Sequence, residues 1–167
     1  MDELLDSIVI LVDTREHEGK HDHILNYFDS KNISWKRSKL DYGDYSGMLP
    51  ANEKLGIDRD IYFTNEVMVE RKANLEELSN NYSSERNRIK AEFASAPPHK
   101  VLLVENASYE MMVEGKYDTS YNPKSYWGSM LSMWHKYDMP VIFIKNKQYT
   151  GQFIYGFIYY YIRGVLK

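Results

Sequence analysis

The stretch EVMVERK, residues 66–72, joins an apolar run to three charges. Val67, Met68 and Val69 are strand-favouring, and Glu70, Arg71 and Lys72 follow at once. Side chains alternate across a strand, so Glu70 and Lys72 face one way and Arg71 the other. A lone Glu-Arg-Lys at a strand end is ordinarily a solvated edge or an ion pair. The surrounding sequence argues for more.

Two other apolar runs end in an acid: SIVILVD (7–13) in Asp13 and KVLLVE (100–105) in Glu105. Such continuous runs suit strands buried on both faces. DYGDYSG (41–47) reads as a turn leading into a short strand and carries Asp44. ISWKRSKL (33–40) alternates as a strand, and PVIFIK (140–145) reads as the last one. The polar segment LPANEKLGIDRD (49–60) reads as a loop or hairpin tip, with IYF (61–63) pairing in a hairpin with EVMVERK. Helical spacing appears at 22–28, 75–82 and 84–96, the last stopped by Pro97-Pro98. Asn122 caps and Pro123 opens a further helix, and a tail helix carries Ile154, Phe157, Ile158, Tyr161, Ile162 and Val165 on one stripe. Strands alternating with helices predict one α/β domain over residues 1–167, with a mixed central sheet flanked by helices.

The totals narrow the chemistry. At 167 residues the chain is long enough for one domain with a sizeable core. A net charge of -3 argues against a wholly basic nucleic-acid binder, though not against a local basic patch. The absence of cysteine removes disulfides, thiolate zinc sites and cysteine nucleophiles, and fits a reducing compartment. The acidic start MDELLDS and the short apolar run after it predict no targeting segment. No stretch reads as membrane-spanning, so the expected setting is cytoplasmic. No Gly-rich phosphate loop, nucleotide fingerprint or nucleophile elbow is present.

In open α/β sheets, ligands gather beyond the strand ends. Asp13, Asp44 and Glu70 are then candidates to hold a hard divalent cation, which takes carboxylate oxygens together with substrate phosphate. Such an ion would polarise a phosphoryl oxygen and acidify water. Lys72, beside Glu70, would orient that water or offset charge on the phosphate. Arg71 would brace a nearby acid or contact a nucleic-acid backbone.

VDTRE (12–16), LDYGDYSG (40–47) and VMVERKANLEEL (67–78), in this order, resemble the nuclease domain of the XPF/Hef family, in the PD-(D/E)XK superfamily. SSERNRIKAEF (83–93), KVLLVEN (100–106) and residues 122–145 extend the resemblance over nearly the whole chain, closest to short, nuclease-only members of phages and Gram-positive bacteria. The resemblance implies a restriction-endonuclease-like fold. It also implies a Mg²⁺- or Mn²⁺-dependent DNA endonuclease acting on branched or flapped DNA in replication, recombination or repair. Asp13, Asp44 and Glu70 would be the metal carboxylates and Lys72 the catalytic lysine. Arg71, Arg15, Glu16 and Glu76 would support them, Glu76 standing where the family carries Asp. The Asp44-to-Glu70 spacing exceeds the family's usual one, which an extended hairpin over 49–60 would explain. No helix–hairpin–helix module is read in the chain. The alternative is a nuclease fold that binds DNA or a protein without cutting.

Arg86, Arg88 and Lys90, after the signature, are candidate phosphate contacts. His17, His21 and His23 form a possible metal cluster, but read as a solvated loop in the absence of cysteine. The aromatic C-terminal region, with Tyr155, Tyr159 and Tyr160, suggests a homodimer interface. A replication or recombination protein is a further possible partner.

Overall fold

Seven strands form one mixed sheet in the order β2-β1-β3-β5-β6-β7, with β4 alongside β3. They are β1 (Val9–Asp13), β2 (Ser34–Ser38), β3 (Tyr45–Leu49), β4 (Ile61–Tyr62), β5 (Val67–Lys72), β6 (His99–Glu105) and β7 (Val141–Ile144). The helices are α1 (Asp2–Asp6), α2 (Asp22–Ser30), α3 (Leu75–Tyr82), α4 (Arg86–Ser95), α5 (Tyr109–Val113), α6 (Pro123–Tyr137) and α7 (Thr150–Val165). The computed structural model describes residues 1–167. β1 pairs in parallel with β2, as β5 does with β6 and β6 with β7. β3 lies antiparallel to β1, β4 and β5. β1, β2, β5, β6 and β7 therefore all end at the same edge of the sheet, and β4 runs in the same direction.

Alternation along each strand divides the core. Ile10, Val12, Val69 and Leu103 meet Ile24 and Phe28 of α2 and Ile154, Ile158 and Ile162 of α7. Met68, Leu102 and Val104 meet Leu78 of α3, Ile89 and Phe93 of α4, and Tyr126 and Met130 of α6 on the opposite face. By the same period of two, Asp13, Glu70 and Lys72 are assigned to the Met68 face, and Arg71 and Glu105 to the α2/α7 face.

The caps follow the sequence. The Asn122 side chain accepts a hydrogen bond from the Ser125 N–H, with Pro123 in the first turn. The tail helix spans Thr150–Val165; Ile154, Ile158 and Ile162 of the expected stripe are fully buried, as is Thr150 at its start, while Val165 is exposed. Two short helices, α1 and α5, have no counterpart in the sequence reading; one or two turns are too short for a periodic signal. The β4–β5 hairpin is corrected: β4 pairs with β3 at Met48 and Leu49, and β5 continues along β3 at Tyr45. β4 and β5 are two parts of one return strand, broken where Val67 N–H bonds back to the Phe63 carbonyl. The polar 50–60 segment is the tip of the β3–β4 hairpin.

Gly47 of β3 lies under α7, where an added Cβ would stand 2.6 Å from Ile158 Cγ2 and 3.0 Å from Ile162 Cδ1. Gly47→Ala is expected to overpack this contact and lower stability by about 1–3 kcal/mol. Urea denaturation should show a lower midpoint with an unchanged m-value.

Candidate active site

The shared strand edge gathers the acids that the sequence singles out. Gly43 has a positive φ of 69°, and a Cβ there would stand 2.8 Å from Met68 Sδ and 3.2 Å from the Val69 carbonyl oxygen. Glycine thus lets the loop press onto β5. Asp44 follows, and its backbone joins the two central strands: its N–H donates to the Val69 carbonyl and its carbonyl accepts from Asp13 N–H, both at 2.9 Å. Its side-chain Oδ2 accepts the Arg71 N–H at 2.7 Å. The carboxylate is therefore placed by β5 itself.

Asp13, Asp44, Glu70, Glu16 and Arg15 all line one cleft of about 450 Å³, with α4 as its far wall. Burial, and then the charge of Glu16, push the Asp44 carboxyl up to about 8. Burial, and then the charge of Asp44, push Glu70 up to about 8 as well. The Lys72 ammonium lies 3.2 Å from Glu70 Oε1 and 4.0 Å from Glu77 Oε1. Burial pulls its pKa down, but Glu70, Glu77 and Asp44 outweigh that, so the ammonium holds its proton more tightly than an ordinary lysine.

Asp13 is buried and already bonded: Oδ1 accepts from Leu40 N–H at 3.0 Å and Oδ2 from Arg15 Nε at 2.7 Å. Arg15 also donates to the Leu40 carbonyl, so Asp13 and Arg15 together hold the 39–41 segment. No three acidic or histidine side chains converge as a ready-made metal cage. What the cleft offers is a crowded Asp44–Glu70 pair in mutual repulsion. That suits an oxygen-seeking cation whose remaining coordination is completed by water and substrate phosphate.

The other face of β5 is structural. Arg71 donates through Nε to Glu105 Oε1 at 2.6 Å, through Nη1 to Glu16 Oε2 at 3.4 Å and through Nη2 to the Lys20 carbonyl at 2.8 Å. Glu105, fully buried, also accepts from Thr150 Oγ1 at 2.6 Å and lies 2.5 Å from His23 Nε2. It thus joins α2, β5 and the first residue of α7. The sequence flags Glu105 only as a strand-end acid; its partners come from distant elements. Tyr45, beside this network, has a buried hydroxyl without a partner.

Several sequence expectations are corrected. Glu76 turns away from Lys72 and accepts from Asp118 N–H at 2.9 Å. Glu77 is the acid of α3 near the lysine, and it also accepts from Ala73 N–H. Position 77 shares a helical face with the strand end only once α3 starts at Leu75, capped by Asn74. Of the histidines, His17 is exposed in the loop after β1, as expected, but His21 is fully buried, accepting from Arg37 Nη2 at 3.2 Å, and His23 is bound to Glu105. Burial and the nearby guanidiniums lower the His21 pKa. Of the expected phosphate contacts, Arg86 is turned inward onto the Tyr82 carbonyl and Ser129 Oγ. Arg88 is clasped by Glu85 and Glu92. Lys90 makes no ion pair.

Two measurements follow. A carboxyl whose pKa rises on folding stabilises the folded state when protonated, so this contribution is complete below the unfolded value and lost as pH rises through the folded one. Without divalent cations, the melting temperature should fall from about pH 4 to about pH 8 through Asp44 and Glu70, and fall less steeply in the Asp44→Asn/Glu70→Gln double variant. Arg71→Ala leaves Glu105 buried without its cation and should cost about 3–5 kcal/mol in urea unfolding.

No curated protein matches the chain. Among solved structures, XPF from Aeropyrum pernix aligns with a TM-score of 0.63 at 16% identity, over 93% of this chain and 65% of that one. XPF from Aeropyrum pernix in complex with DNA aligns with a TM-score of 0.65 at 14% identity, over 93% and 66%. The chain spans about two thirds of the length of these structures. At this identity the likeness establishes the fold, a mixed sheet between helical layers. A model of the ERCC4 domain matches residues 12–157, which include the VDTRE, GDY and ERK segments. With that match covering most of its length, the chain belongs to the ERCC4 domain family.

Proposed function

We propose that this chain is a divalent-metal-dependent DNA endonuclease that hydrolyses phosphodiester bonds, preferring branched or flapped DNA. The observation that carries the reading is the pairing of two crowded carboxylates, Asp44 and Glu70, with a buried ammonium, Lys72 Nζ, 3.2 Å from Glu70. Family membership and the likeness to an XPF structure in complex with DNA support the substrate class.

Asp44 and Glu70 would hold the cation, with Mg²⁺ or Mn²⁺ suited to an oxygen donor set. When bound, the ion polarises the scissile phosphate and lowers the pKa of water at the site. The rest is done by the chain. Lys72, held as an ammonium, is a donor and not a base. It points a hydrogen bond at the attacking water, or at the phosphoryl oxygen on which charge grows. The Arg71 N–H fixes Asp44, so the carboxylate needs no reorganisation when substrate arrives. Asp13 supports the site from one step away, through Arg15 and Leu40. A homodimer belongs to this proposal, through Phe153, Phe157 and Tyr160 of α7 and Ile144 of β7, which line an open apolar groove. Tyr155 and Tyr159 face the core more than solvent.

The test uses end-labelled fork, flap, four-way junction, duplex and single strand, each with Mg²⁺, with Mn²⁺ and with chelator. The expected result is metal-dependent cutting, strongest on branched DNA and reduced about 10²-fold or more by Lys72→Ala or Glu70→Ala. A protein that shifts these DNAs in a gel but cuts none would be a binding module instead.

A further inference from the structure

A nuclease cleft must admit a polyanion, yet the cleft around Asp44 and Glu70 is lined by six carboxylates against two guanidiniums. One of these, Arg88, is clasped by Glu85 and Glu92, and the other, Arg15, is bonded to Asp13. The α4 cluster therefore supplies little free positive charge to this cleft. The grip on the backbone has to come from elsewhere.

A second cleft, of about 670 Å³, opens at the same strand edge, on the Arg71 side of β5. Arg15 and Glu16 line both clefts, so the two adjoin across the strand ends. Its rim carries Lys20, from the loop after β1, and Lys147, from the turn before α7. Both are exposed. Lys72 and Lys116 are the only lysines in ion pairs, so Lys20 and Lys147 stand without a carboxylate partner. The carboxylates of this second cleft are engaged: Glu16 and Glu105 by Arg71, and Glu77 by the Ala73 N–H. The backbone under Lys20 is fixed, because its carbonyl accepts from Arg71 Nη2. The Asn146 side chain accepts from Gln148 N–H and fixes the turn that carries Lys147. Both ammonium groups thus rise from anchored segments.

We propose that this second cleft is a phosphate-binding subsite for the nucleic-acid strand that enters the catalytic cleft, with Lys20 and Lys147 as its cationic contacts. The proposal rests on the nuclease reading for its ligand. The strand backbone crosses the carboxyl edge of the sheet past Arg15, with the scissile phosphate on the Glu70 side and its neighbours on the lysine side. This places the electrostatic grip opposite α4.

Binding is measured by fluorescence anisotropy on a labelled single-stranded oligonucleotide, in chelator, over a series of NaCl concentrations. Each lysine that neutralises a phosphate adds about 0.7 to the slope of log K against log salt on a single strand. The Lys20→Ala/Lys147→Ala double variant should lose about 1.4 from that slope, and Lys20→Arg/Lys147→Arg should retain it. Thermal melting checks that both variants fold. An unchanged slope in the alanine double variant overturns the subsite, as does a slope that falls in Lys90→Ala instead. Cleavage by the wild type is scored separately. A protein that binds with this slope loss but cuts nothing overturns the nuclease reading and leaves the subsite standing.

Discussion

The hydrogen bond from Arg71 N–H to Asp44 Oδ2, at 2.7 Å, is the contact on which the rest of the site depends. It fixes the loop carboxylate to the strand that presents Glu70 and Lys72. It forms because Gly43 lets the 41–44 turn press against Met68 and Val69, where any Cβ would collide. β5 then separates two tasks by its period of two. Glu70 lines the cleft with Lys72 held against it, while Arg71 is locked into the fold by Glu105, Glu16 and Lys20. One tripeptide therefore supplies both the carboxylate–ammonium pair and the anchor beneath it.

The electrostatics follow from that division. On one face, carboxylates are crowded and held at about 8, a cost in folding energy that a bound cation would relieve. On the other, a buried guanidinium is satisfied by two carboxylates and a carbonyl. Taking both charges of a buried pair out of water costs several kcal/mol per ion, so such a pair adds little net stability. It does fix geometry. Glu105 draws α2, β5 and α7 to one point, and that point also sets the loop carrying Lys20.

Much of this was legible in the sequence, for physical reasons. Strands buried on both faces must be apolar throughout, so β1, β5 and β6 stand out as runs that end in acids. The placement of Glu70 and Lys72 on one face follows from strand geometry alone. The order of the VDTRE, GDY and ERK segments was enough to identify the family. The failures share a cause: each depended on a distant partner. Whether β4 pairs with β3 or β5 is decided by a break at Phe63, which no local period encodes. Arg86 looks like a surface cation until Ser129, from α6, meets it. His21 and His23 look solvated until Arg37 and Glu105 cover them. Glu76 and Glu77 are neighbours in sequence, and only the cap at Asn74 decides which one faces Lys72.

The proposed function requires that Asp44 and Glu70 form one cation site beside the Lys72 ammonium. Crystals of the protein soaked in Mn²⁺ and measured at the manganese absorption edge test it directly. The expected result is an anomalous peak between the Asp44 and Glu70 carboxylates, lost in Glu70→Gln crystals. A peak held by other residues, or none at a concentration that supports cleavage in solution, would contradict it.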